Sequence, residues 1–199
     1  DLHLMHRIKN AGCKSKEDVI FTIHKIIDDI LAESTSLTLI GGDVSSEFSI
    51  FELFVKMLRK LAGSGRRDFV FVLGNHELWD FPGLSVDEIV DKYRTVLKEN
   101  GMYLLHNDLF YRNESDDMGI IPYDELIQSD NQAILEKLRC TRLVILGGLG
   151  FSGYNEEFNA NDGVYRATVD RNTEIQESKK FEQLYDKLTD VLAKKHTII

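Results

Sequence analysis

Three short groups of residues carry side chains that could do hard-ligand chemistry: Asp1-Leu2-His3, Gly41-Gly42-Asp43 and Gly74-Asn75-His76-Glu77. Carboxylate oxygen, amide carbonyl oxygen and imidazole nitrogen suit manganese, iron, zinc or a similar divalent ion, and no thiolate stands beside them to select copper or an iron–sulfur cluster. Asp43 follows Asp1 by 42 positions and His76 follows Asp43 by 33. Such a spacing lets successive strands of one sheet bring their carboxyl-end loops side by side, which is where open α/β sheets place their sites. Gly41, Gly42 and Gly74 let the backbone turn sharply at a strand end without a side chain blocking the pocket.

The elements that must position these groups alternate short apolar runs with amphipathic helices, the pattern of a layered α/β domain. Ser15 with Asp18 forms a capping-box pattern ahead of a stripe of Ile20, Ile23, Ile27, Ile30 and Leu31. Leu37 to Ile40 reads as a strand, with Ser45 and Ser46 as candidate N-caps for a helix carrying Phe48, Phe51, Val55, Leu58 and Leu61. Phe69 to Leu73 reads as a second buried strand, and Ser85 with Glu88 caps a helix that Asn100-Gly101 closes. Met102 to Leu105 and Leu109 to Arg112 read as strands that pair with each other. A helix ending near Leu138 leads to a strand over Leu143 to Leu146, and a charged helix covers Glu174 to Lys195. Phe151 to Arg171 reads as loop. With no repeat, low-complexity tract or linker, residues 1–199 are expected to form one domain.

The three groups DLH, GGDVSS and GNHE, in that order, resemble the first three motifs of the calcineurin-like metallophosphoesterase superfamily. The resemblance implies a layered β-sandwich flanked by helices and a centre of two divalent metal ions, of manganese, iron or zinc. Carried over residue by residue, it implies that Asp1 and His3 bind the first metal, Asp43 bridges both, Asn75 binds the second, and His76 is the catalytic acid, with Glu77 orienting it. A bridging carboxylate holds two cations about 3.5 to 4 Å apart, where they can activate a shared hydroxide and clamp the attacked phosphoryl oxygens. Leu146 to Asn155 resembles a bacterial branch of the superfamily and would place a loop from Gly148 to Asn161 at the pocket rim. The further histidine and the Gly-His-x-His of the family's later motifs do not occur, and neither His106 nor His196 sits in such a motif. The chain is therefore expected to be cut at both ends and incomplete at the C-terminus, with His196 to Ile199 leading toward the missing ligands, and to be weakly active or inactive as it stands.

The expected activity is hydrolysis of a phosphate mono- or diester by metal-activated hydroxide, on a phosphate-ester small molecule or a phosphorylated substrate. Two other readings compete. Gly148-x-Gly150-x-x-Gly153, with Asp170 about 20 residues on, matches a dinucleotide fingerprint and would make the chain a nucleotide-binding oxidoreductase, but Tyr154 to Gly163 shows turn residues in place of the helix that motif must open. A non-catalytic phosphoesterase-like binding module is the other. The composition narrows the partners: with 24 basic and 33 acidic side chains, a net charge of −9 disfavours extended nucleic-acid binding. No apolar run reaches the roughly 18 to 20 residues that span a bilayer, so no membrane association is expected. Two isolated cysteines, Cys13 and Cys140, read as reduced thiols and point to a cytoplasmic location. His6 reads as rim or surface, His24 as a satisfied surface histidine, Trp79 as a pocket wall, and Arg66-Arg67 as a weak phosphate contact.

Overall fold

The computed structural model describes residues 1–63, 67–151, 164–166 and 168–192. They group into two units, Asp1–Leu104 with Asp162–Val169, and Leu105–Asn161 with Asp170–Ile199. The chain is mixed α/β, and the described residues form two three-stranded sheets with helices flanking them.

The first unit begins with a short helix, α1 (Leu4–Asn10), followed by α2 (Lys16–Glu33). Both halves of the Ser15/Asp18 capping box are formed at the start of α2, which satisfies N–H groups the first turn cannot pair internally. Strands β1 (Leu37–Ile40), β2 (Asp68–Phe71) and β3 (Tyr103–Leu104) lie side by side and parallel in that order, with Ile40 opposite Phe71. Parallel neighbours need a crossover, and α3 (Phe48–Ala62) and α4 (Val86–Glu99) supply the two. Phe51, Phe54, Val55 and Leu58 of α3 are fully buried with Phe69 and Phe71 of β2. The chain leaves β1 and β2 from the same end of the sheet, so the GGD and GNHE loops meet.

Two expectations change here. The helix α3 is capped by Glu47, not by Ser45 or Ser46, and Glu47's side chain makes no cap. The carboxylate of Asp80 instead accepts the N–H of Phe48 at 2.9 Å, a cap supplied from 32 residues away. The segments around Met102 and Leu109 do not pair with each other. Tyr103 and Leu104 join β2, while β4 (Asp108–Asn113) belongs to the second unit. The sequence shows two apolar runs but not which edge each meets, and Asn107, in a left-handed conformation at φ 57°, turns the chain between them.

In the second unit β4 is central and antiparallel to both β5 (Met118–Ile121) and β6 (Thr141–Gly147). Helices α5 (Tyr123–Gln128), α6 (Asn131–Lys137) and α7 (Arg171–Leu192) complete it. Leu109, Ile121, Leu126, Ile134, Val144, Leu184 and Leu188 form one apolar cluster. Asp116 is an ion-pair hub that accepts from buried Arg112 at 2.9 Å and also from Arg142. Residues 193–199, including His196, and residues 152–163, with most of the rim loop, Gly153 and Tyr154, lie outside the described residues, as does Arg66. Arg67 is committed to the carbonyl of Leu31. Cys13 and Cys140 are free thiols. Among the described residues no helix is long and apolar enough to cross a membrane.

His106 closes a buried polar knot in this unit. Its Nε2 lies 3.3 Å from the Glu177 carboxylate, which accepts from Asn107 at 3.2 Å and from Lys180 at 2.5 Å. Burial acts to raise the Glu177 pKa, but the neighbouring His106 and Lys180 outweigh it and hold the group below its ordinary value of 4.5. A carboxyl with a depressed folded pKa stabilises the native state above its unfolded pKa and loses that contribution as pH falls through the folded one. Glu177→Gln is therefore expected to lower the unfolding free energy by about 2 kcal/mol at pH 7. In urea titrations from pH 7 to pH 3 the gap between variant and parent should close below pH 4.5; a gap independent of pH would refute the charge-based origin.

Candidate metal centre

The site is built where three chain segments meet at the carboxyl end of the parallel sheet. The chain start is tied to the GGD loop by backbone bonds: the N–H groups of Leu2 and His3 donate to the Asp43 carbonyl at 3.0 and 2.8 Å, and that of Leu4 to the Val44 carbonyl at 2.9 Å. This lays His3 beside Asp43. The GNHE loop is tied to both by one side chain, Glu77, which is fully buried. Its Oε1 accepts the N–H of Val44 at 2.6 Å and of Ser45 at 3.0 Å, while its Oε2 accepts those of Asp43 at 3.0 Å and Gly74 at 2.7 Å. Glu77 was expected to orient His76; its carboxylate instead clamps the backbone of the two loops.

Through these ties a ligand atom of His3, one of Asp43 and one of His76 come to lie within 4.8 Å of one another. Ligands about 2.1 Å from one cation are separated by no more than about 4.2 Å, so a small inward adjustment would let His3 and Asp43 share an ion, with the His76 imidazole beside them in reach of a group bound to it. An imidazole and a carboxylate are donors that zinc, iron and manganese accept. Close approach is permitted by the absence of a side chain at Gly74: a Cβ there would overlap the Asp43 carboxylate and fall 2.6 Å from its backbone nitrogen. The residues thus fit a divalent cation. The backbone is strained where they converge, with His3 at φ 46° and Asp43 at φ 49°, a region that costs an L-residue roughly 1 to 2 kcal/mol.

Asp1 is not part of this trio, and Asn75 is tied elsewhere by its amide nitrogen. The amide nitrogen of Asn75 donates to the Val164 carbonyl at 2.7 Å, which leaves its carbonyl oxygen as the atom it can offer a cation. Asp1 is exposed at the start of the chain. The backbone N–H of His76 donates to Asp43 Oδ1 at 3.1 Å, and its ring lies edge-on to His3 with centroids 4.6 Å apart. Burial holds the His76 pKa below its ordinary value; the Asp43 charge opposes this, while His3 and Arg166 add to it.

Other expectations resolve around the trio. Trp79 is a wall of a cleft of about 320 Å³, whose lining also includes His3, His6, Lys9, Glu47 and Arg166. His6 is on its rim, whereas His24 pairs with Asp28 on the exposed face of α2 at 3.0 Å. Asp170, the acid of the dinucleotide fingerprint, accepts the N–H of Thr173 at 2.7 Å and caps α7, and residues 148–151 after β6 are not helical. Arg166 was not anticipated; it reaches the cleft from a segment 90 residues beyond His76 with no motif around it.

Because Glu77 has no spare partner, Glu77→Gln would face N–H donors with a donor of its own. Loss of at least one buried bond to a charged acceptor should cost about 3 kcal/mol, or roughly 6 to 12 °C in Tm for a chain of this size. Thermal unfolding by circular dichroism checks this, and a shift below 2 °C would show that the clamp is dispensable.

A family model described as calcineurin-like phosphoesterase matches residues 1–196. No curated protein and no solved structure matches the chain. The match runs through all three motifs and the strands that deliver them, and by it the chain belongs to the calcineurin-like phosphoesterase family.

Proposed function

We propose that this chain hydrolyses phosphate mono- or diesters at the His3, Asp43 and His76 cluster, with two divalent cations held by Asp1, His3, Asp43 and Asn75. The observation that carries the reading is the convergence of three motif side chains, far apart in sequence, to within 4.8 Å. The family match over both units supports reading them as one phosphoesterase domain. When bound, the cations supply Lewis-acid charge to the phosphoryl oxygens and a nucleophilic water near neutral pH.

The chain's own residues do the rest. Asp43 has one carboxylate oxygen pinned by the His76 N–H and its backbone nitrogen pinned by Glu77, so its direction is fixed before any ligand arrives. His76 is the acid: its ring is held by stacking on Trp79 at 3.7 Å, within the cleft that a phosphate would enter. A substrate dianion beside the imidazole opposes the downward pull of burial and of Arg166 on its pKa, so proton affinity rises when the substrate is present. Proton transfer to a leaving oxygen typically contributes about 10²- to 10⁴-fold.

Metal content after Mn²⁺ loading and desalting separates ligand from acid. Asp43→Asn is expected to abolish retained metal, and unchanged metal content would refute its ligand role. His76→Asn is expected to keep the metal and lower turnover of an aryl phosphate by about 10²-fold or more. Loss of metal from that variant would make His76 a ligand and not the acid.

A further inference from the structure

The segment 164–166 has been brought to the GNHE loop by a specific device. The carbonyl of Val164 accepts two side-chain donors at once, Asn75 Nδ2 at 2.7 Å and the indole N–H of Trp79 at 2.8 Å, and Tyr165 is buried behind it. Arg166 then takes a left-handed conformation, φ 51°, which a non-glycine residue keeps only when its surroundings hold it. The outcome is that its guanidinium carbon lies 3.6 Å from the Trp79 ring centroid, while the His76 ring is stacked on the same indole at 3.7 Å. Two planar groups this close to one indole must take opposite faces. Arg166, Trp79 and His76 therefore form a three-layer stack, with the imidazole at one end and the guanidinium at the other.

This contact fixes where the guanidinium sits, against the indole at the cleft. Arg166 is exposed, lines the 320 Å³ cleft with His76, and among the described residues no carboxylate or carbonyl accepts from it. Its planar fork matches a phosphate or carboxylate through two parallel bonds. Among the described residues the cleft lining adds one further cation, Lys9, and one acid, Glu47, in a chain whose net charge is −9. Both indole faces are occupied, so Trp79 cannot stack on an aromatic leaving group. What the cleft offers beside the reacting centre is thus an anion site, not a ring platform.

We propose that Arg166, held on Trp79, binds a second anionic group of the substrate, so that the cleft selects phosphate esters or anhydrides carrying another phosphate next to the scissile one. Arg166 is then a specificity-determining residue two stacking layers from His76. The proposal rests on the phosphoesterase reading above, and it adds the substrate class.

The chain has one tryptophan, so intrinsic fluorescence reports this stack directly. The Mn²⁺-loaded protein is titrated with methylenediphosphonate and with methylphosphonate, reading Trp79 emission, with isothermal titration calorimetry as the second readout. The parent should bind the bisphosphonate about tenfold or more tightly than the monophosphonate. Arg166→Gln should bring that ratio to within about twofold, and Arg166→Lys, which keeps the charge but not the fork, should lie between. Equal loss of both ligands, or an unaltered ratio in Arg166→Gln with native circular dichroism, would overturn the proposal. Asp43→Asn keeps the two failures apart: if it leaves methylphosphonate binding as strong as in the parent, the phosphoesterase reading falls and the proposal with it. If it weakens both ligands while Arg166→Gln does not alter the ratio, only the role of Arg166 falls.

Discussion

The carboxylate of Glu77 is the constraint on which the rest of the first unit depends. Four backbone N–H groups, from Asp43, Val44, Ser45 and Gly74, converge on its two oxygens. Loops that leave neighbouring parallel strands have no ladder partners for these donors, and buried donors without partners are expensive. One carboxylate, acceptor-only while ionised, satisfies all four and fixes the two motif loops to each other. Burial drives its pKa up to about 7, with the bonds from Ser45, Gly74 and Val44 pulling down and the Asp43 charge pushing up. The clamp therefore holds a strained balance at the place where Asp43 must be aimed. Tyr93 of α4 extends the hold by donating to the Glu77 carbonyl at 2.9 Å, so helix packing and loop position are fixed together.

A second consequence concerns what lies on top of the clamp. With the GNHE loop immobilised, Asn75 and Trp79 present their N–H groups to one point, and the Val164 carbonyl occupies it. A segment distant in sequence is thus received by a surface the clamp has already shaped. Asp80, four residues past His76, reaches the first turn of α3 in the same way. The loop that carries the proposed acid also organises its neighbours, and this explains why so short a stretch has no regular structure beyond the three-residue turn His76–Leu78.

Much of this was legible in the sequence, for local reasons. Both capping boxes and the strand over Leu37–Ile40 are encoded by residues within one turn or one run of each other. That His3, Asp43 and His76 come together was legible through the resemblance of their three motifs to one family. What was not legible depends on distant partners. The pairing of β3 with β2, and of β4 with β5 and β6, follows from which edge is available, which apolar runs do not state. The cap of α3 comes from Asp80, the partner of Glu77 is backbone and so leaves no pattern of side chains, and Arg166 sits in no motif at all.

Backbone strain shows where those distant constraints act. Five non-glycine residues among those described have positive φ, and three of them, His3, Asp43 and Arg166, lie at the candidate metal centre or in the cleft beside it. A residue keeps such a conformation only if its surroundings repay about 1 to 2 kcal/mol. For His3 the return is a backbone bond to Asp43; for Asp43 it is the Glu77 clamp; for Arg166 it is the stack on Trp79. The other two, Asn107 and Asp116, sit at the Glu177 knot and the Arg112 hub of the second unit. In each unit the chain is bent against its preference where charged and polar side chains must be brought together. Helices and strands elsewhere follow the local signals, so the departures mark the places where partners, and in the first unit chemistry, decide the conformation.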